Sequence, residues 1–460
     1  MTRPSPFATL PLIPALLQGI DALGYTAMTP VQAQALPAIL DGRDVIAQAP
    51  TGSGKTAAFG LGLLQRLDVA AIRTQALVLC PTRELADQVG KQLRKLAVAI
   101  PNLKISVLCG GIPLGPQLAS LSHDPHVVVG TPGRIQELTR KQALHLGGVR
   151  TLVLDEADRM LDMGFEEPIR ELAGRTPKDR QSLLFSATFP DAIRALGNAM
   201  LRDALEVSID GGALPAAIDQ RFFEIDPTRK APLLAALLLQ YRPESCVVFC
   251  NMRRDTEELV SSLAHYGFDA LALHGDMQQR DRDEVLVRFA NRSCSVLVAS
   301  DVAARGLDVE DLAAVVNYAL PTDADTYLHR IGRTGRAGRG GLALSLCTAR
   351  EVPRAHAIEQ RQGRPLRWER VAPLAGKAQN VPTAAMTTLR IDAGRSDKLR
   401  PGDIVGALTG DAGVAVAAIG KIDVYATRAY VAIARAQADH ALARLRAGTI
   451  KGRKLRVNRL

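Results

Sequence analysis

The eight residues Ala49-Pro50-Thr51-Gly52-Ser53-Gly54-Lys55-Thr56 constrain this chain more than any other stretch. They follow a short apolar run, Asp44-Val45-Ile46-Ala47, and precede Ala57-Ala58-Phe59-Gly60-Leu61, which reads as a helix. A strand, a Gly-rich loop and a helix in that order form a phosphate-binding loop. Gly52 and Gly54 let backbone N–H groups close around phosphate oxygens, with Pro50, Thr51 and Ser53 completing the cradle, and the helix N-terminus adds a favourable dipole. Lys55 can then reach the β- and γ-phosphates, and the Thr56 hydroxyl can ligate Mg²⁺. Ala49 stands where a strict pattern has Gly. Taken alone, the loop is also readable as a Gly-rich turn with an exposed lysine.

Beyond the loop, apolar runs alternate with helical stretches: Ala76–Cys80, Lys104–Leu108, Val127–Val129, Thr151–Leu154 and Ser182–Phe185. Short β-rich runs separated by helices predict an α/β domain with a parallel sheet. Ligands of such sheets gather at the carboxyl ends of the strands. Four polar clusters fall there: Pro81-Thr82-Arg83-Glu84, Gly130-Thr131-Pro132-Gly133-Arg134, Asp155-Glu156-Ala157-Asp158 and Ser186-Ala187-Thr188. Asp155, delivered by a buried strand, suits the Mg²⁺ held by Thr56, and Glu156 can orient or deprotonate the attacking water. The same pair can equally cap the following helix. Upstream, the Gln32 amide offers one donor and one acceptor side by side, which matches the edge of adenine, although such a residue is more often on a helix surface.

The chain has 460 residues, room for about three domains, and is 47% hydrophobic. It carries 57 basic and 47 acidic residues, a net charge of +10. Residues 386–460 alone hold 14 lysines and arginines against six aspartates, a surplus of eight. A polyanion partner for this segment follows more readily than a generally basic surface. Cys246 and Cys250 bracket Val247-Val248-Phe249 and no second Cys/His pair completes a zinc site, so reduced structural cysteines are expected. Pro11 and Pro14 interrupt the apolar stretch Phe7–Leu17 and only Arg3 precedes it, which makes a poor signal peptide. With no apolar run of about 18 residues, a cytoplasmic protein without membrane contact is expected.

A second alternating pattern follows a linker that begins at Asp210-Gly211-Gly212, with strands at Cys246–Cys250, Ala270–Leu273, Ser295–Ala299, Ala313–Asn317 and Gly341–Leu346. It lacks a phosphate loop and contributes arginine instead, in Ser300-Asp301-Val302-Ala303-Ala304-Arg305-Gly306-Leu307-Asp308 and His329-Arg330-Ile331-Gly332-Arg333-Thr334-Gly335-Arg336. Arg330, Arg333 and Arg336, three apart, are expected to share one helix face. Gly332 and Gly335 each cost about 1 kcal/mol on a free helix. A packed arginine turn facing a γ-phosphate is therefore favoured over a solvated basic stripe.

Taken in order, the Gln motif from Gly24 to Gln32, Pro81-Thr82-Arg83-Glu84-Leu85, Gly110-Gly111, Thr131-Pro132-Gly133-Arg134, Asp155-Glu156-Ala157-Asp158 and Ser186-Ala187-Thr188 resemble the DEAD-box RNA helicases. The resemblance implies two RecA-like domains that close over ATP and RNA. It implies adenine selection by Gln32, with Phe7 packing near the base. RNA backbone contacts would come from Thr82, Arg83, Gly111, Thr131 and Arg134, and Ser186 with Thr188 would couple nucleotide state to RNA. In the second domain it makes Arg333 and Arg336 the catalytic arginine fingers, beside Lys55 and Glu156. Asp308 would bind the ribose, Gly306 would allow close approach, and Arg305 and His329 would link the two sites. Asn251, Gln279, Arg282 and Ser300 would lie on the RNA side; the family usually has Thr at position 300.

Val371–Pro382 has linker composition. Beyond it, strands at Thr387–Ile391, Ile419–Val424, Tyr430–Ala434 and Lys454–Asn458 alternate with helices near Pro401–Leu408 and Gln437–Arg446. That βαββαβ order predicts a small α+β RRM-like domain, which binds RNA on its sheet face. Arg390 and Arg428 occupy positions where stacking aromatics are usual, and only Tyr430 is retained. The tail resembles the C-terminal domain of a bacterial branch of these helicases directed to 23S ribosomal RNA, through Arg400–Asp411, Ile419–Ile422 and Ile450–Val457. Candidate contacts are Lys398, Arg400, Lys421, Arg428, Tyr430, Lys451, Arg453 and Arg456. The expected organisation is residues 1–208, 213–365, a linker at 366–385 and 386–460. The expected activity is ATP-dependent local unwinding of RNA by a monomer, with ATP and Mg²⁺ as cofactors and the large-subunit precursor as partner. An ATP-gated RNA clamp, or a helicase of broad RNA range, are the alternatives.

Overall fold

A computed structural model describes residues 6–50, 52–209, 218–304, 312–335, 340–410 and 413–460. The linker start at Asp210-Gly211-Gly212 and the candidates Thr51, Arg305, Gly306, Asp308 and Arg336 lie outside them. The chain divides into two compact units, Met1–Ala213 and Leu214–Leu460.

The first unit is built on a seven-stranded sheet of β1 (Val45–Gln48), β2 (Ala76–Leu79), β3 (Ile105–Leu108), β4 (Val127–Gly130), β5 (Thr151–Asp155), β6 (Gln181–Ser186) and β7 (Leu205–Ser208). Their order is β3-β4-β2-β5-β6-β1-β7, and every pairing is parallel. The central strands read as continuous apolar runs because helices cover both faces; β2, β4, β5 and β6 are buried throughout. Two apolar clusters form the layers, one containing Phe59, Phe185 and Leu93, the other Leu77, Leu152 and Ile169.

The second unit contains two sheets. Strands β8 (Ile218–Glu224), β9 (Cys246–Cys250), β10 (Ala270–Leu273), β11 (Val296–Ser300), β12 (Ala314–Asn317), β13 (Gly341–Cys347) and β14 (Trp368–Glu369) form a parallel sheet in the order β10-β11-β9-β12-β13-β8-β14. The six cysteines are free and buried, and Cys246 and Cys250 are the two ends of β9. Strands β15 (Met386–Ile391), β16 (Ile419–Val424), β17 (Ala429–Ala434) and β18 (Val457–Arg459) pair antiparallel in the order β16-β17-β15-β18. Helices Pro401–Thr409 and Arg435–Ala447 pack on one side of this small sheet, over Leu389, Ile391, Val431 and Ile433.

The segment of linker composition is laid along the second sheet's domain. Val371, Leu374, Ala378 and Val381 pack against that core, Leu374 N–H donates to the Pro232 carbonyl and Ala378 N–H to the Tyr266 carbonyl. Linker composition here accompanies a strap packed on that core. Among the described residues, no helix is long and apolar enough to cross a membrane.

Candidate ATP and RNA sites

The parallel register of the first sheet brings the motifs to one end. The phosphate loop follows β1, Thr82 follows β2, Gly110 and Gly111 follow β3, Thr131 follows β4, Asp155 ends β5 and Ser186 ends β6. Within the loop, Gly54 adopts φ +93°, and a Cβ there would meet the Gln32 amide nitrogen at 2.4 Å. Gln32 is engaged by the fold itself: Thr29 N–H donates to its Oε1 at 2.9 Å, and its Nε2 donates to the Gly54 carbonyl at 3.0 Å. Its amide thus caps helix Pro30–Leu40 and ties that helix to the loop. Phe7 is buried and stacks on Tyr25.

Lys55 is folded onto its own loop, with Nζ donating to the carbonyls of Ala49 at 2.6 Å and Pro50 at 3.2 Å. Burial lowers its pKa, while Asp155, Glu156 and Asp158 raise it. Glu156 is a non-glycine residue at φ 53°, buried and ion-paired to Arg159 at 2.6 Å. Arg159 belongs to none of the motifs, and its one signal in the sequence is the i,i+3 spacing from Glu156. Asp158 joins two motifs: its Oδ2 accepts from Thr188 N–H at 3.0 Å and the Thr188 hydroxyl at 2.9 Å, and its own N–H donates to Ser186 Oγ at 3.2 Å.

The buried Asp155 carboxyl has an Oδ1 without a hydrogen-bond partner, and the buried Ser53 Oγ is likewise unpartnered. An orphaned carboxylate oxygen at the end of a buried strand, together with the Thr56 hydroxyl in the first turn of helix Lys55–Gln65, fits the oxygen donor set of Mg²⁺. Burial first, and the Glu156 charge second, push the Asp155 pKa up to about 7, against an opposing pull from Lys55. A carboxyl raised on folding binds more protons folded than unfolded between about pH 4 and pH 7, so stability falls as pH rises across that window. Asp155→Asn is therefore expected to raise the melting temperature of the nucleotide-free protein at pH 8, with a much smaller gain at pH 5.5, while abolishing ATP turnover. Thermal melts at both pH values check this; a gain equal at the two would sink it.

The RNA candidates of the first unit also converge. Thr82 Oγ1 accepts from Leu85 N–H at 3.2 Å and caps helix Arg83–Leu96. Arg83 lies 4.0 Å from Asp87. Thr131 Oγ1 accepts from Gly110 N–H at 3.3 Å, Arg134 donates to the Ile112 carbonyl at 3.1 Å, and Gly111 holds φ +75°. Arg134 is ion-paired to Glu137 at 3.0 Å and still keeps a buried Nη1 without a partner.

In the second unit the arginine reading needs correction. Helix Ala324–Ile331 ends before Arg333, Gly332 is its C-cap, and Gly335 lies at φ +72°. Arg330 and Arg333 therefore do not share a helix face, and Arg336 lies outside the described residues. Arg330, at 2% exposure, is structural. Its guanidinium is paired to Asp301 at 2.6 Å and donates to Asn251 Oδ1, Asn317 Oδ1 and the Ala319 carbonyl, above the Phe249 ring. Asn251, whose Nδ2 also donates to the Leu320 carbonyl, is thereby locked. Arg333 is buried in the turn after the helix, Ser300 ends β11, and His329 sits in the last turn of the helix. Gln279 opens helix Gln279–Ala290 and bonds Asp283 at 2.9 Å; Arg282 lies one turn on.

On the small sheet, the face expected to bind RNA is covered. Thr388 Oγ1 bonds Ser293 at 2.6 Å and Asn291 at 3.2 Å, and Met386 N–H donates to the Arg292 carbonyl. Arg390 pairs with Glu284 of helix Gln279–Ala290 at 3.3 Å. Tyr430, opposite Arg390 in the register, is 3% exposed and packs on Tyr425, so its ring has no open face for a base here. Arg428 is half-buried beside it. Basic candidates gather instead at one exposed edge. Lys451 Nζ donates to the Lys398 carbonyl at 2.6 Å and approaches Asp403 at 3.4 Å, Arg453 donates to the Asp397 carbonyl, and Arg400 precedes helix Pro401–Thr409. Lys421 and Arg456 are exposed elsewhere, near Asp423 and Asp392.

A phosphate loop after β1, Asp155 at the end of β5 two strands away, and the motif loops gathered at the same sheet end are the layout of a nucleotide site, and the chain belongs to the DEAD/DEAH box helicase family. The model of that family matches residues 29–196, the helicase conserved C-terminal domain matches 229–338, and the DbpA RNA binding domain matches 388–459. The chain is 52% identical over 99% of both lengths to the ATP-dependent RNA helicase DbpA of Escherichia coli (strain K12). It is 40% identical to the DEAD-box ATP-dependent RNA helicase CshA of Geobacillus kaustophilus (strain HTA426), over 80% of this chain and 78% of that one. Among solved structures it resembles S. cerevisiae Dbp5 bound to RNA and ADP BeF3, with a TM-score of 0.72 and 32% identity over 79% of this chain and 95% of that one. The protein is an ATP-dependent RNA helicase that resembles DbpA and hydrolyses ATP to ADP and phosphate.

Proposed function

We propose that this helicase locally unwinds RNA duplexes and that residues 386–460 direct it to a hairpin of 23S ribosomal RNA during large-subunit assembly. The observation that carries the targeting is the match to a DbpA-type RNA-binding domain over 388–459, together with the exposed basic edge formed by Lys398, Arg400, Lys451 and Arg453. The proposal includes domains at 1–208, 213–365 and 386–460, a cytoplasmic location and a monomeric enzyme.

ATP binding requires Lys55 Nζ to leave the Ala49 and Pro50 carbonyls for phosphate oxygens, so the loop exchanges internal bonds for ligand bonds. Thr56 and Asp155 would hold Mg²⁺, which supplies charge neutralisation at the phosphates. Glu156, fixed by Arg159, takes the proton of the attacking water. Asp158 transmits the state of this site to Ser186 and Thr188 through the three bonds described above. Arg333 and Arg336 contribute charge to the γ-phosphate when both units engage ATP. Thr82, Arg83, Gly111, Thr131 and Arg134 grip phosphate and ribose, so this surface is largely blind to sequence.

The test is RNA-stimulated ATPase activity with 23S ribosomal RNA and with poly(A), for the intact chain and for a truncation after Pro382. The intact protein is expected to half-saturate at a 23S RNA concentration roughly 10²-fold or more below that of poly(A), as specific contacts add to backbone contacts. The truncation is expected to lose that difference. An intact protein without preference refutes the targeting, and ATPase activity without strand separation on a duplex favours the clamp.

A further inference from the structure

The amino ends of three adjacent strands of the first unit carry arginine. Arg73 lies just before β2, Arg150 immediately before β5 and Arg180 immediately before β6, and these strands are neighbours in the order β2-β5-β6. Arg66, at the C-cap of helix Lys55–Gln65, joins them. The four arginines line one cleft of about 400 Å³, whose lining includes a single acidic residue, Asp179. Among the described residues, none of the four is in a salt bridge. The Asp44 carboxylate, whose charge acts on Arg180, accepts from Ser182 N–H at 2.8 Å and Arg202 N–H at 2.7 Å.

The arginines are seated by the fold. A Cβ on Gly148 would come within 3.0 Å of Arg73 Cδ, and one on Gly42 would come within 2.4 Å of Arg66 Nη1. The Arg73 stem and the Arg66 guanidinium therefore lie against bare backbone. Arg180 donates to the Pro177 carbonyl at 3.0 Å, yet its Nε is buried without a hydrogen-bond partner. Four like charges converging on one concavity repel one another, and planar guanidinium forks match phosphate oxygens bidentately. The lining holds no aromatic side chain that could stack a base.

We propose that this cleft is a second phosphate site that holds the RNA backbone outside the strand gripped by the helicase motifs. Every strand of the sheet points away from it, so the cleft and the ATP site lie at opposite ends of the domain, separated by the 11-residue helix that starts at Lys55, a span of roughly 16 Å. RNA long enough to pass the domain would touch both ends; a short single strand would touch only the motif end. Recognition is of phosphate alone and adds affinity without base preference. The proposal rests on the RNA-binding activity of the family.

The experiment uses the full chain with Arg73→Gln and Arg150→Gln combined, beside a charge-matched control, Lys91→Gln with Lys141→Gln, both on exposed positions. Fluorescence anisotropy is read between 50 and 300 mM KCl with two probes, a hairpin flanked by duplex and a ten-nucleotide single strand. For the flanked hairpin, the arginine variant is expected to bind about tenfold more weakly at low salt, with a slope of log affinity on log salt shallower by about 1.8, since each lost phosphate contact removes about 0.9. The short strand should bind all three proteins alike, and turnover at saturating short strand should be unchanged. Equal slopes for the arginine variant and the control overturn the proposal. So does inorganic pyrophosphate that binds the parent and not the variant while the RNA slope is unaltered, because the site would then serve a free phosphate compound. A parent protein whose ATPase is not stimulated by RNA faults the helicase reading itself, which keeps the two failures distinct.

Discussion

Replacing Glu156 by Gln is expected to lower ATP turnover by about 10²–10⁴-fold, the range lost with a positioned general base, while ATP and RNA binding persist. The carboxylate sits at φ 53°, a left-handed conformation uncommon for a residue with a side chain, and its partner Arg159 is as buried as it is. Gln keeps the length and one acceptor for Arg159 but cannot take a proton. It also removes the negative partner of a buried cation, so some loss of stability accompanies the loss of rate. Turnover must therefore be measured well below the melting temperature, in single-turnover format, with nucleotide and RNA affinities determined on the same sample. Unchanged turnover would remove Glu156 from the reaction. Arg159→Ala tests the positioning role separately: it should reduce the rate yet leave a residual dependence on Glu156.

Sequence patterning located the central strands because they are buried on both faces and read as unbroken apolar runs. It missed β7, β8 and β14. In β8 the run is broken by Arg221, which is paired to Asp219 and Glu369, and β14 has only two residues. The phosphate loop and Asp155–Asp158 were legible as local strings, since their chemistry depends on residues a few positions apart. What stayed hidden was the set of partners that make those strings rigid. The Gln32 amide has a capacity for adenine that is legible in the sequence, whereas the bonds of one N–H to Gly54 and of its oxygen to Thr29 are not. The sheet face of the tail was read from its own six-element pattern, yet the groups that cover it, Glu284, Asn291 and Ser293, lie about a hundred residues upstream. A pattern confined to 75 residues carries no sign of a cover supplied from outside it. The arginine cleft was invisible for a related reason: Arg73, Arg150 and Arg180 become neighbours only through the strand order β2-β5-β6.

Arg330→Ala is expected to destabilise the second unit by about 3–5 kcal/mol, the cost of breaking a buried ion pair by removing one partner. The lower end is favoured because the Asp301 side chain is 24% exposed and recovers some solvation. At about 2–4 °C per kcal/mol for domains of this size, the melting temperature should fall by roughly 6–20 °C. The single tryptophan supplies the readout: Trp368 lies in β14 with its ring 5.5 Å from that of Phe222 in the same sheet, so its fluorescence reports this unit. Arg330→Lys should be nearly as damaging, because one ammonium cannot serve Asp301, Asn251, Asn317 and the Ala319 carbonyl at once. An arginine whose task was to neutralise phosphate would behave otherwise: its loss would slow turnover and spare the melt. If Arg330→Ala leaves the tryptophan transition in place while ATP hydrolysis collapses, Arg330 acts on nucleotide and the structural assignment is wrong. The expected result is the reverse, a lowered transition with ATPase loss that tracks the unfolded fraction, which separates Arg330 from its neighbour Arg333 three residues on.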